Sequence, residues 1–192
     1  MSNTAIVKTT GKSCLSIKVQ TLSALFAIIS AVVLPQIFHI LGTISGLGTI
    51  PGDVFLPMHL PIILVGLLAG PYAGAISGLL APVVSFSLSG MPNIIILPFM
   101  VIELFAYGLT SGILRNIKIP TILKVFISQI CGRVAFLLSI LTSVYISGNS
   151  SISINAILNS LRSGIFGIVI QLILFPLIIY RIENFKKSKN QN

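Results

Sequence analysis

Long runs of apolar residues fill most of the chain, and short stretches rich in glycine, proline or polar side chains separate them. Each run is close to the roughly 20 residues that a membrane-spanning helix needs. The pattern predicts an all-α integral membrane protein, built as a compact bundle of six transmembrane helices. The predicted helices cover residues 19–41, 54–69, 72–88, 93–114, 121–146 and 155–182.

The composition places the whole chain in a bilayer. Hydrophobic residues make up 55% and charged residues only 8% of the sequence, whereas soluble domains carry about 25% charged residues. Only the ends are polar, and we expect residues 1–16 and 184–192 to form tails beside one transmembrane domain at 17–183. The sequence therefore predicts no attached soluble catalytic module.

Positive charges indicate how the bundle is oriented. Lysines and arginines concentrate on the cytoplasmic side of membrane proteins, and the loops around 43–52, 89–92 and 148–153 contain neither. Both termini are therefore predicted to be cytoplasmic. The basic C-terminal tail is expected to meet anionic lipid headgroups rather than nucleic acid. The clustered cations are Lys8, Lys12 and Lys18, then Arg115, Lys118 and Lys124, and finally Arg181, Lys186, Lys187 and Lys189.

Catalytic and cofactor chemistry is not indicated. Cys14 and Cys131 lack metal-ligand spacing, and the sequence contains no glycine-rich loop that could hold nucleotide phosphates. Neither a nucleophile–base pair nor paired catalytic carboxylates can be recognised. We therefore expect no enzyme, no metal and no cofactor, and energy for transport would have to come from an ion gradient or from a partner chain.

Two charged residues lie deep in the apolar runs. Glu103 lies about ten residues into helix four, roughly 15 Å from its outer end, and Arg133 lies a comparable distance into helix five, which runs the other way, so the two can be at similar depth. A charge at the bilayer centre costs roughly 3 kcal/mol, so such residues pair or line a wet cavity. The two residues either form a structural ion pair or also hold a polar ligand, together with Tyr107, which is one helical turn from Glu103 on the same face.

Four further candidate residues have more than one interpretation each. Arg162 either contacts a ligand or extends to the outer interface. Gln171 either makes a hydrogen bond between helices or contacts a ligand. His59 is either a ligand contact or a satisfied structural group, and Asn93 caps a helix, contacts a ligand, or does both.

Prolines that interrupt helices and small residues that allow close helix contacts give further predictions. Prolines in "VFLPMHLP", residues 54–61, are predicted to free carbonyls, shorten helix two and make it a cavity wall. The loop 41–53 is either a mobile lid or a connector. Small residues of helix one, Ala24, Ala27 and Ala31, serve either internal packing or the approach of another helix. The stripe Gly70, Gly74 and Gly78 is predicted to be an internal contact.

Several motifs together resemble a known family. They are "FLPMHLPIILVGLLAGPYAGAISGLLAP", "SGMP", "ELFAYGLTSGIL", "CGR" and "QLILFPLI". With six short helices, this combination resembles the substrate-binding S component of energy-coupling factor (ECF) vitamin transporters. The likeness extends over about residues 20–182, and its most specific part is 55–114.

The resemblance implies a vitamin receptor without an ATPase of its own, with a pocket near the outer face and the first outer loop as a lid. It implies docking through an AxxxA motif, matched by Ala27 and Ala31, onto a transmembrane coupling protein joined to two ATPases. Toppling of the S component would then carry the ligand inward. The pocket would comprise the 41–53 lid and the side chains of Asn93, Glu103, Tyr107, Arg133 and Arg162.

Other function classes remain as alternatives. A stand-alone secondary transporter could use Glu103 as its proton site, and a membrane scaffold or helix-packing chaperone is a third possibility. The expected ligand is a vitamin or vitamin precursor, polar and compatible with an anion. Frequent Ile, Lys, Asn and Ser are typical of a low-GC bacterium, so a bacterial cell membrane is the predicted location.

Overall fold

Helices and a few short turns make up the part of the chain that the structure, a computed structural model, describes. It covers residues 15–46, 58–147, 168–175, 177–179 and 181, and no strand occurs among them. The helices are α1 Ile17–Ile44, α2 His59–Ala69, α3 Pro71–Ser89, α4 Leu97–Leu114 and α5 Thr121–Ser147, followed by α6 Ile168–Ile179.

Four of the described helices, α1, α3, α4 and α5, are long and apolar enough to cross a membrane. They indicate a multi-pass membrane protein, as the sequence predicted. The helix α2 is different, because its 11 residues extend only about 16 Å, roughly half of a 30 Å hydrocarbon core. Six crossings and cytoplasmic termini stay predictions.

Two predicted helix features are wrong. The fourth helix begins at Leu97 rather than at 93, because Asn93 Oδ1 accepts the N–H of Ile95 at 3.0 Å and holds the preceding residues in a turn. In α2, Pro61 lies in the first turn, where an amide has no intrahelical acceptor in any case, so this proline frees no carbonyl. Residues 54–57 lie outside the described part of the chain.

Close backbone contact holds α3 against α4, the pair of helices with the most extensive contact. Gly74 and Gly108 face each other so closely that a methyl group on either would overlap the backbone of the other. Gly78 approaches the backbone of Leu104 in the same way. The predicted internal role of the glycine stripe is therefore confirmed at Gly74 and Gly78.

The two ends of the bundle differ in charge. At one end, the turn at Gly70 lies near the side chains of Gln20 and Arg115, and Lys124 Nζ donates to the carbonyl oxygen of Arg115 at 2.9 Å. We call this the basic end. The opposite end consists of residues 45–46 and 90–96, which contain no lysine or arginine, and we call it the neutral end.

Candidate functional site

One buried carboxylate gathers polar side chains from three helices. Glu103 and Tyr107 lie one turn apart on α4, and the Tyr107 hydroxyl donates to Glu103 Oε1 at 2.9 Å. Arg133 Nη1, from α5, approaches the same oxygen at 3.0 Å. His59 begins α2, and its Nε2 is 3.8 Å from that oxygen. We call these four residues the carboxylate cluster.

The predicted Glu103–Arg133 contact and the shared face of Glu103 and Tyr107 are thus confirmed. His59 also joins the cluster, with its ring edge-on to that of Tyr107 at a centroid distance of 5.1 Å. Its position at the first residue of the short helix α2 brings it to the middle of the bundle rather than to an end. This depth does not follow from the sequence, because the apolar pattern predicts that this helix starts at residue 54.

The carboxylate cluster is almost completely enclosed. Glu103 is 2% exposed, Tyr107 1% and His59 3%, while the side chain of Arg133 keeps 12% exposure. A buried charge is strongly disfavoured unless it is paired and hydrogen-bonded. Arg133 is therefore the counter-charge of Glu103 and the least buried member of the cluster.

Several polar nitrogens of the carboxylate cluster have no hydrogen-bond partner among the described residues. Both ring nitrogens of His59, and Arg133 Nη2, are buried and have no hydrogen-bond partner among the described residues. A buried polar group without a partner costs about 1–3 kcal/mol, and native proteins leave few of them. An ion pair that served only to join α4 to α5 would not need these additional groups.

A glycine lets the carboxylate cluster assemble. Gly132 precedes Arg133 on α5, and a methyl group at this position would overlap the ring of Tyr107. Without a side chain there, α5 lies directly against Tyr107. The "CGR" motif thus places the cation and makes room for the aromatic ring in two consecutive residues.

The family model for the substrate-specific component of ECF transporters matches residues 18–189. The chain belongs to this family. Neither the curated proteins nor the solved structures contain a match to it. As an S component, the chain is a transport subunit rather than an enzyme, and it acts on a small-molecule substrate together with an ECF transporter module.

A second polar contact lies beside the carboxylate cluster in this S component. Gln129 is one turn from Arg133 on α5, and its Nε2 donates to Gln171 Oε1 at 2.8 Å, with both side chains buried. The hydrogen bond between helices, one of the two interpretations of Gln171, is therefore present. Sequence reasoning missed Gln129, although its i, i+4 spacing from Arg133 was a usable signal.

Other candidate residues do not join the carboxylate cluster. Asn93 is exposed at the neutral end, where it caps a turn. Arg162 lies outside the described residues, as do residues 47–53 of the predicted lid. The first part of that lid, residues 41–44, belongs to α1 instead.

The alanines of helix one face inward. Ala24 and Ala27 are each 2% exposed and Ala31 is 0% exposed. They pack within the chain, and Ala24 and Ala27 share a cluster with Val65, Ala69 and Ala73 of α2 and α3. Internal packing is the interpretation that the structure supports, because α2 and α3 already cover this face. A partner helix could reach these alanines only if α1 separated from its neighbours.

Proposed function

We propose that this S component is the high-affinity substrate-binding subunit of an ECF-type importer for a vitamin or vitamin precursor in a bacterial cell membrane. The carboxylate cluster forms part of its binding site. The observation that carries the proposal is the set of buried nitrogens on His59 and Arg133 that have no hydrogen-bond partner among the described residues, beside an already paired Glu103.

The energy for uptake comes, in this proposal, from a transmembrane coupling protein and two ATPases. Family membership supports a separate ECF module, and the sequence itself contains no glycine-rich nucleotide loop. The stand-alone proton carrier is not favoured, since Glu103 is engaged with Arg133 at 3.0 Å and the family consists of substrate-specific components.

Uptake into proteoliposomes tests the energy source. The purified S component is reconstituted with and without its coupling protein and ATPases, and uptake of labelled vitamins is followed. We expect uptake only with the complete module, its loss when the ATPases are inactivated, and no effect of an uncoupler. Uptake by the S component alone that an uncoupler abolishes would contradict the proposal and support the proton carrier.

A further inference from the structure

The charges of Glu103 and Arg133 in the carboxylate cluster balance each other without any ligand. Glu103 contributes one negative charge and Arg133 one positive charge, with 3.0 Å between Oε1 and Nη1. The other cation of the described part of α5 is Lys124, and its ammonium donates to Arg115 O at the basic end. Beside an uncharged His59, a formal anion would therefore lack a counter-charge among the described residues of the cluster, and an unpaired charge in a poorly solvated site is costly.

Glu103 uses one terminal nitrogen of the Arg133 guanidinium and leaves the other without a partner in the described part of the chain. The Tyr107 hydroxyl and Arg133 Nη1 both bind Glu103 Oε1, which fixes the carboxylate and engages one edge of the guanidinium. Nη2 of Arg133 is left as a buried donor without a partner among the described residues. Arginine has only donors, so the group that meets Nη2 must be an acceptor.

His59 lies near Arg133 and can both donate and accept hydrogen bonds. An uncharged imidazole has one nitrogen that donates and one that accepts, and neither ring nitrogen has a partner in the described part of the chain. His59 and Arg133 approach the same carboxylate oxygen, at 3.8 Å and 3.0 Å. The two side chains therefore lie near each other beside Glu103.

We propose that the carboxylate cluster binds a neutral amide-type edge of the substrate, a carbonyl group adjacent to an N–H. Such an edge occurs in lactams, ureides and oxo-substituted nitrogen heterocycles. The carbonyl oxygen accepts from Arg133 Nη2, and the N–H donates to the unprotonated ring nitrogen of His59. This inference rests on the proposed function and specifies the class of substrate.

Capture of a substrate from a mixture tests the inference. The full chain in lipid nanodiscs is incubated with a water-soluble extract of rich growth medium, washed, and the retained molecules are identified by mass spectrometry. We expect a molecule with the amide-type edge. Methylation of its edge nitrogen should weaken binding about 10-fold or more, the loss of one buried hydrogen bond.

His59→Phe supplies the matching change in the protein, since it keeps a ring but removes both nitrogens. We expect it to weaken binding of the retained molecule about 10-fold and to abolish the discrimination against the N-methylated analogue. If this variant fails to fold, the comparison of analogues on the wild-type chain still decides the question.

Two other results would overturn the inference. A retained carboxylic acid that binds 10-fold more weakly as its amide would show that the carboxylate cluster takes an anion, while the proposed receptor function would stand. Retention of no molecule by the folded protein would count against the receptor function itself, and with it against the substrate class.

Discussion

At the residue scale, we expect removal of one charge of the Glu103–Arg133 pair to destabilise the protein more than removal of both. Arg133→Ala leaves a carboxylate 2% exposed without its counter-charge, and breaking a buried pair in this way costs about 3–5 kcal/mol. Glu103→Gln combined with Arg133→Gln leaves two neutral amides, and we expect it to recover much of this loss. Unfolding midpoints in mild detergent measure the difference.

Binding data on the same variants separate structure from function. If Arg133→Ala lowers stability but the folded fraction binds substrate with unchanged affinity, the pair is structural and the proposed site is wrong. A stable variant with weakened binding would instead support the proposal.

The hydroxyl of Tyr107 gives a second prediction. Tyr107→Phe removes its hydrogen bond to Glu103 Oε1, which is 2.9 Å long, but keeps the ring that packs against His59 and Gly132. Hydrogen bonds to charged groups contribute about 1.5–3 kcal/mol, so we expect a loss of stability in that range. Tyr72→Phe is the matched control, because Tyr72 is 47% exposed and should tolerate the change. Equal stability of the two variants would contradict the arrangement.

The contacts of charged residues could be predicted from the sequence better than those of uncharged polar residues. Glu103 and Arg133 had few ways to be stable inside apolar runs, so their pairing followed from helix direction and depth. Gln129 carries no such penalty, so its spacing from Arg133 was the only signal that pointed to it. His59 was recognised as a candidate, but its contact with Glu103 depends on where α2 begins, and hydrophobic periodicity does not determine that position.

At the element scale, the inward face of α1 can be tested with one substitution. Ala31 is 0% exposed, so Ala31→Leu inserts a large side chain into a filled contact, and overpacking of this kind costs about 1–3 kcal/mol. We expect a lower unfolding midpoint. Val33→Leu is the control, because Val33 lies on the same helix and is 47% exposed.

The same variant bears on docking. Ala31→Leu could instead keep the unfolding midpoint and the substrate affinity of the wild-type chain and lose only uptake with the complete ECF module. In that case the alanines face the coupling protein. The packing of α1 against α2 and α3 would then be contradicted.

The α3–α4 contact gives a further prediction for an element. Gly74→Val would force branched methyl groups into the backbone of Gly108, and α3 and α4 would have to separate. We expect little folded protein by gel filtration. Ala75→Val, on the half-buried neighbouring position, should remain folded, and a folded Gly74→Val variant would show that the close approach is not required.

Helix ends explain the remaining errors of the sequence-based prediction. Residues 94–96 are three isoleucines and look helical by hydrophobicity, but they form a turn because Asn93 caps it. Side-chain capping depends on the local backbone path rather than on apolar periodicity. The apolar cores of α3, α4 and α5 were predicted correctly because long hydrophobic runs leave a membrane segment few alternatives to a helix.

At the scale of the whole molecule, the length of α2 connects orientation to function. This helix starts at His59 and ends at Ala69, next to the turn at the basic end. Its 11 residues extend about 16 Å, so the carboxylate cluster lies near mid-depth, at the end of α2 that points toward the neutral end. A substrate that enters from the neutral end meets the cluster without passing α2.

An importer must receive its substrate from outside, so the proposed function requires the neutral end to be extracellular. Positive charge favours the same orientation, because Lys18, Arg115, Lys118 and Lys124 lie at the other end. Single cysteines test it in a background with Cys14→Ser and Cys131→Ser. We expect an impermeant maleimide to label Met91→Cys in intact cells and Lys118→Cys only after permeabilisation. Both positions are exposed, so accessibility in the folded chain does not limit either reaction. The reverse labelling pattern would place the basic end outside, and the substrate would then have to pass α2 to reach Arg133 and His59, which is incompatible with the proposed direction of transport.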